Sequence, residues 1–565
     1  MNIWEKYEYW RANVRDGELA AELASIAGDG AAVEDRFWRE LEFGTGGLRG
    51  VLGAGSNRMN VYTVAKASQG YANYLRKHFA NPSVAIAYDS RINSRRFAET
   101  AAGVFAASGV GVHIYRELMP TPALSFAVRN LQASGGIVIT ASHNPAQYNG
   151  YKVYGPDGCQ ITTETAAAIL AEIEGVDPFA DVSQLEFAQA LAAGKVRYIE
   201  ENVIDAYLQA VSGESLLPED IGRDVAIVYT PLNGTGVSCV PRCLRENGLT
   251  NIVIPPEQGE PDGNFPTCPY PNPEVREALT MGLKCAEAVG ADLLLATDPD
   301  CDRVGAAVKS GGEYVLISGN EMGVLLLDFV CRMRELGGSM PEAPLAIKTI
   351  VTTPLAAKVA ANYGVKIIDV LTGFKFIGEQ IGLLEQKGEA ERYVFGFEES
   401  YGYLSGGFVR DKDAVNASLL ICELFAWWRQ QGKTLVDRLN EIYESYGWYE
   451  SRLLNFGFAG AAGAADMAAF MQRLREQLPG EIGGFRVLET RDYLIEETGS
   501  NSEVKLPKSD VLRYWLEEGC EVVVRPSGTE PKLKVYVTAV GNSRAAALDI
   551  AEVLSQTVNS WFGHD

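Results

Sequence analysis

The chain has 565 residues, several times the usual domain size, and its 47% hydrophobic, 22% charged and 10% aromatic residues suit a globular protein of three to five packed units. That balance excludes a disordered or fibrous chain. A formal net charge of -23 excludes broad electrostatic binding to nucleic acid or an anionic membrane, so an anionic ligand must meet a local basic pocket.

The amino terminus lacks the basic start and apolar core of a signal peptide, and no apolar run approaches the roughly 20 residues of a membrane span. The nine cysteines are scattered, without a Cys-x-x-Cys, and Cys239 and Cys243 have no companions for zinc. A cytoplasmic protein with reduced thiols is expected, with no nucleic-acid or membrane partner.

Strand-like apolar runs at 84–87, 136–140, 225–229 and 293–296 alternate with longer helical patterns through about residue 440. That alternation predicts α/β domains. Breaks are expected at 174–184, at 337–341 and in the Gly/Ala-rich stretch 457–465, which reads as a hinge. The final part predicts a helix at 464–477 and strands at 521–524 and 533–537, a smaller α+β unit. Four domains follow, at 1–205, 206–320, 321–447 and 448–565.

Four of the predicted strands run into polar loops. The first loop is Thr140-Ala141-Ser142-His143-Asn144-Pro145, where a serine hydroxyl beside a histidine could take a phosphoryl group. The second, Asp298-Pro299-Asp300-Cys301-Asp302-Arg303, offers three carboxylates at alternating positions, an all-oxygen set suited to magnesium. In the third, Glu398-Glu399-Ser400 could accept from and donate to sugar hydroxyls. The fourth, Arg525-Pro526-Ser527-Gly528-Thr529-Glu530-Pro531-Lys532, is a compact phosphate cradle. Arg49, in the loop 44–50, and Lys152 add cations. Each segment taken alone also has a plainer reading as a surface turn, least so the acidic loop, whose closely packed carboxylates would repel one another.

In this order and spacing the four loops resemble the α-D-phosphohexomutase superfamily over nearly the whole chain. The 44–50 loop and the chain length are most similar to its bacterial phosphoglucomutase branch, close to phosphoglucomutase-2. The resemblance implies three α/β domains with mixed sheets and a smaller α+β domain, each giving one loop to a central cleft. It implies Ser142 as the phosphoserine, and Asp298, Asp300 and Asp302 as holders of magnesium together with a phosphoserine oxygen. Glu398 and Ser400 would bind sugar hydroxyls, and Arg525, Ser527, Gly528 and Thr529 the phosphate that is not transferred. The basic residues map to Arg49, His143, Lys152, Arg303 and Lys412; of these, Lys152 is the first choice as general base, since a lysine among other cations can have a lowered pKa. A sugar-facing segment maps to Thr372, Gly373, Phe374 and Lys375, with Phe374 as an aromatic wall.

The implied reaction interconverts α-D-glucose 1-phosphate and glucose 6-phosphate through a phosphoserine, with glucose 1,6-bisphosphate as intermediate and activator. Mannose and pentose phosphates, sugar-bisphosphate synthesis and, in another class, a metal-dependent phosphatase are the alternatives.

Overall fold

The computed structural model describes residues 1–44, 46–458, 460–495, 506–527 and 532–563. They form four sheets of seven, five, four and six strands. The chain divides into two compact units, the first made of Met1–Ser318, Phe374–Tyr393 and Ser400–Gln430, the second of Gly319–Gly373, Val394–Glu399 and Gln431–Asp565.

In the first unit, helices Ile3–Asn13, Gly17–Ser25 and Gly30–Phe37 share a core of their own around Tyr7, Trp10, Leu23 and Phe37. Glu22 ties this layer to the next segment, since its carboxylate accepts from the Ala54 amide at 2.9 Å and pairs with Arg36 at 3.0 Å. The seven-stranded sheet runs Phe43–Gly44, Gly47–Val51, Tyr148–Tyr154, Gly135–Ile139, Ser83–Tyr88, Gly111–Ile114, Val196–Tyr198. Ser83–Tyr88 is parallel to both Gly135–Ile139 and Gly111–Ile114, and Tyr148–Tyr154 joins antiparallel. The parallel strands are buried on both faces by helices, which is why their sequences are near-continuous apolar runs.

The five-stranded sheet runs Glu313–Ile317, Val304–Ser310, Leu293–Thr297, Ile227–Thr230, Ile252–Val253. Leu293–Thr297 is parallel to Ile227–Thr230 and antiparallel to Val304–Ser310. Both sheets send polar loops out past the carboxyl ends of their strands, where open α/β sheets present ligands.

In the second unit, Leu345–Thr349 pairs in parallel with Lys366–Val370. The six-stranded sheet is antiparallel throughout, in the order Trp448–Gly457, Lys532–Gly541, Glu521–Pro526, Leu512–Leu516, Phe485–Asp492, Glu481–Ile482. Helix Arg544–Ser560 packs on it over a core that includes Val522, Val535 and Leu554.

Every predicted strand run overlaps an observed strand, with 225–226 lying before Ile227–Thr230 and Thr140 just past Gly135–Ile139. The Gly/Ala-rich stretch differs: Trp448–Gly457 is strand and Gly460–Glu476 is helix, so most of the expected hinge is regular structure. Alanine has the highest intrinsic helix propensity, and six alanines between 461 and 469 outweigh the glycines at 460 and 463. All nine cysteines are unpaired, and all but Cys285 are buried. Among the described residues no helix is long and apolar enough to cross a membrane.

Candidate active site

Gly135–Ile139 delivers the chain to Thr140, whose Oγ1 accepts from the Ser142 amide at 2.8 Å. Ser142 is buried and has φ 51°, in the left-handed region that residues with a side chain seldom enter. Its hydroxyl donates to Asp298 Oδ2 at 2.7 Å, and His143 Nδ1 lies 3.1 Å from Ser142 Oγ.

Asp298, Asp300 and Asp302 occupy the tight connection between Leu293–Thr297 and Val304–Ser310, each no more than 1% exposed. One carboxylate oxygen from each lies within 4.8 Å of the others. Asp298 Oδ1 accepts from the amides of Asp302 at 3.1 Å and Arg303 at 3.0 Å. Lys152 Nζ is 2.7 Å from Asp300 Oδ2 and 3.3 Å from Asp302 Oδ2, and Lys412 Nζ is 2.8 Å from Asp302 Oδ2.

Asp300 Oδ1 and Asp302 Oδ1 are buried without a hydrogen-bond partner. Three converging carboxylates with two such oxygens fit a hard divalent cation, since a buried acceptor left unsatisfied is costly. Burial, then the neighbouring Asp300 and Asp302, push Asp298 well above the ordinary carboxylate range. Burial acts the same way on Asp300 and Asp302, but Lys152 and Lys412 outweigh it and hold both below that range.

Two expectations are corrected by this geometry. Lys152 does not have a lowered pKa: burial lowers it, but Asp300 and Asp302 more than offset that and hold the ammonium above its ordinary value. Acids, not cations, dominate its surroundings. His143 is not a cationic neighbour, because burial, Arg303 and Arg49 push it well below the ordinary imidazole range and keep it neutral.

The antiparallel pairing of Gly47–Val51 with Tyr148–Tyr154 sets Arg49 opposite Gly150 and Gly47 opposite Lys152. Arg49 Nη1 donates to Asn144 Oδ1 at 3.1 Å, on the Ser142 loop. Arg303 Nη1 donates to Glu274 Oε1 at 2.5 Å. Phe374 and Lys375 open helix Phe374–Gln386 and are both buried, the Lys375 carbonyl accepting from Cys159 Sγ at 3.3 Å. Ser400 is half-buried in a turn.

In the second unit the Gly373 amide donates to Glu398 Oε1 at 2.9 Å, and the nearby Thr372 Oγ1 is buried without a partner. Glu399 accepts from Thr349 Oγ1 and Thr352 Oγ1, each at 3.3 Å. Arg525 is the last residue but one of the strand Glu521–Pro526 and bonds Tyr536, while the Ser527 amide donates to the Lys532 carbonyl at 2.8 Å. Gly528 and Thr529, expected in the phosphate cradle, lie outside the described residues, as does Thr45 of the 44–50 loop.

Two residues outside the four motif loops also hold this site together. Thr121 opens helix Thr121–Asn130 and bonds Asp300, and Arg91 bonds the backbone of the Ser142 loop. The second was signalled by Asp89-Ser90-Arg91 directly after an apolar strand, the same strand-to-polar-loop pattern that marks the other sites.

Comparison with known proteins finds matches to the phosphoglucomutase/phosphomannomutase domain families, namely alpha/beta/alpha domain I over 40–178, domain II over 205–311, domain III over 318–446 and the C-terminal domain over 487–555. The chain is 36% identical over 524 residues to the phosphoglucomutase of Staphylococcus haemolyticus (strain JCSC1435), covering 92% of this chain and 94% of the relative. It is 38% identical over 519 residues to that of Staphylococcus aureus (strain bovine RF122 / ET3-1), covering 90% and 91%. Its fold is similar to that of a phosphoglucomutase/phosphomannomutase family protein from Burkholderia thailandensis, with a TM-score of 0.66, 18% identity and coverage of 93% and 98%.

Proposed function

The chain belongs to the phosphoglucomutase/phosphomannomutase family, and from that premise we propose that it interconverts α-D-glucose 1-phosphate and glucose 6-phosphate through a phosphoryl group carried on Ser142. The observation that supports this reading is the Ser142 hydroxyl, 2.7 Å from Asp298 in a buried acidic triad with two partnerless oxygens.

The free hydroxyl of the sugar monophosphate attacks phosphorus, the bond from phosphorus to Ser142 Oγ breaks, and the proton of the attacking hydroxyl ends on Oγ. The resulting glucose 1,6-bisphosphate turns over and returns its other phosphoryl group to Ser142, which restores the enzyme. Magnesium held by Asp298, Asp300 and Asp302 with a phosphoserine oxygen would neutralise charge on the transferring group. Lys152, Lys412 and Arg49 add positive charge near the transferring group, with Lys152 acting as an ammonium. His143, neutral, orients Oγ. Arg303 and the Thr372 to Lys375 segment line the sugar site, Glu398 and Ser400 bind sugar hydroxyls, and Arg525, Ser527, Gly528 and Thr529 hold the other phosphate. We assign one loop to each of 1–205, 206–320, 321–447 and 448–565, and a cytoplasmic location in keeping with nine free thiols.

Intact-mass analysis of the purified protein tests the reading. A phosphoryl increment that Ser142→Ala abolishes, together with loss of mutase turnover, supports it. Phosphatase turnover that survives in Ser142→Ala sinks it. Relative rates on glucose, mannose and ribose 1-phosphates fix the sugar.

A further inference from the structure

The Ser142 loop makes few regular ladder bonds, and its key residue sits in a left-handed conformation that costs energy unless its surroundings impose it. Arg91 supplies the constraint. Its Nη2 donates to the Ser142 carbonyl at 2.5 Å and to the Asn144 carbonyl, and its Nη1 to the carbonyls of Pro145 at 2.9 Å and Tyr148 at 3.0 Å. One guanidinium thus gathers four carbonyls across seven residues of the loop.

The clamp is itself held. Arg91 Nε lies 3.4 Å from Asp89 Oδ2, with both side chains fully buried. Asp89 Oδ1 accepts from the Arg91 amide at 2.9 Å and from Ser94 Oγ at 2.6 Å. Asn149 Nδ2 closes the circuit by donating to Ser94 Oγ and to the Ile92 carbonyl, each at 3.0 Å. The Phe265 ring covers the guanidinium at 5.0 Å, and Gly263 pairs with the Arg91 backbone so closely that a Cβ there would lie 2.5 Å from the Ile92 nitrogen. Lysine cannot replace this arrangement, because an ammonium has three donors around one point and no planar fork.

We propose that Arg91, held by Asp89, is the positioning residue that fixes the backbone of the Ser142 loop in the geometry that phosphoryl transfer requires. The proposal rests on the functional reading given above. It places the control of nucleophile geometry on a group that need not touch the substrate.

The test uses the protein as a whole and the variants Arg91→Lys, Asp89→Asn and Val112→Ala, the last a core change on the neighbouring strand, paired with Val84 near the amino end of Ser83–Tyr88. Turnover of glucose 1-phosphate and amide exchange of residues 141–148 are both measured. Arg91→Lys is expected to lower kcat about 100-fold with KM within about threefold of wild type, the cost of a misplaced reacting atom. Exchange at 141–148 should accelerate, while Val112→Ala, brought to the same loss of Tm by temperature, keeps kcat within about threefold.

A kcat for Arg91→Lys within about threefold of wild type, or an equal fall in Val112→Ala, overturns the proposal. If Arg91→Lys does not fold, Asp89→Asn decides, with lower kcat and faster loop exchange expected and no change in either overturning it. If wild-type protein lacks the mutase reaction, the functional reading fails on its own, and unchanged exchange in the Arg91 and Asp89 variants then overturns the clamp separately.

Discussion

Thr121 meets Asp300 twice: its amide donates to the Asp300 carbonyl and its Oγ1 to the Asp300 carboxylate, both at 2.9 Å. The first turn of a helix in one sheet layer thereby fixes a member of the acidic triad that follows another sheet. Thr121→Val keeps the volume and the amide but removes the hydroxyl. Partners of metal-binding carboxylates typically contribute 10–100-fold in metal affinity, so Kd for magnesium should rise about tenfold with little change in Tm. Titration calorimetry or the magnesium dependence of turnover measures this, and an unchanged Kd would contradict it.

Gly402 is close to Lys412, and a Cβ at that position would lie 2.5 Å from Lys412 Cδ and 3.2 Å from its Cβ. Gly402→Ala should push Lys412 away from Asp302 and lower kcat about tenfold, since overpacking displaces whichever neighbour can move. Combining it with Lys412→Ala should cost no more than Lys412→Ala alone. Additive losses would mean that Gly402 acts by another route.

Burial pushes the Asp413 carboxyl up to about 6, against the amide of Asn416 and the Tyr207 hydroxyl, which both favour the charged form. The native state therefore holds this proton more tightly than the unfolded chain. Its contribution to stability is fully present below the ordinary carboxylate range and is lost as the pH rises through about 6. Asparagine resembles the protonated acid and does not titrate. The Tm of wild type minus that of Asp413→Asn should thus be larger at acidic than at neutral pH, by about 1–3 °C for a chain of this size. A gap that does not move with pH would refute the assignment.

Glu398 uses one oxygen to accept from the Gly373 amide. Glu398→Gln retains an acceptor for that amide but loses the carboxylate assigned to sugar hydroxyls. Hydrogen bonds to charged groups contribute about 1.5–3 kcal/mol, so KM for glucose 1-phosphate should rise about tenfold or more. Steady-state kinetics that show only a fall in kcat would place Glu398 elsewhere in the reaction.

The sites at Ser142 and Asp298 were legible because apolar strands feed directly into loops whose residue types have a definite chemistry. Protonation was not. Lys152 and Asp300 are 148 residues apart in the chain, and only folding shows that acids rather than cations surround the ammonium. Arg91 followed the same strand-to-loop pattern, but its partners are backbone carbonyls, which have no residue type for a sequence to display. The stretch after residue 457 misled for a local reason, since glycine and alanine together suit either a flexible link or a helix start.

For the phosphoryl-carrying role proposed for Ser142, its left-handed backbone also restricts which residue type can serve. Threonine has the same hydroxyl chemistry, but a β-branched side chain at positive φ is a genuine outlier and would cost about 1–3 kcal/mol in backbone strain. Aspartate and asparagine enter that region more readily, so a carboxylate could mimic the phosphorylated state here without rebuilding the turn. Local stereochemistry, and not phosphoryl chemistry alone, thus selects serine over threonine.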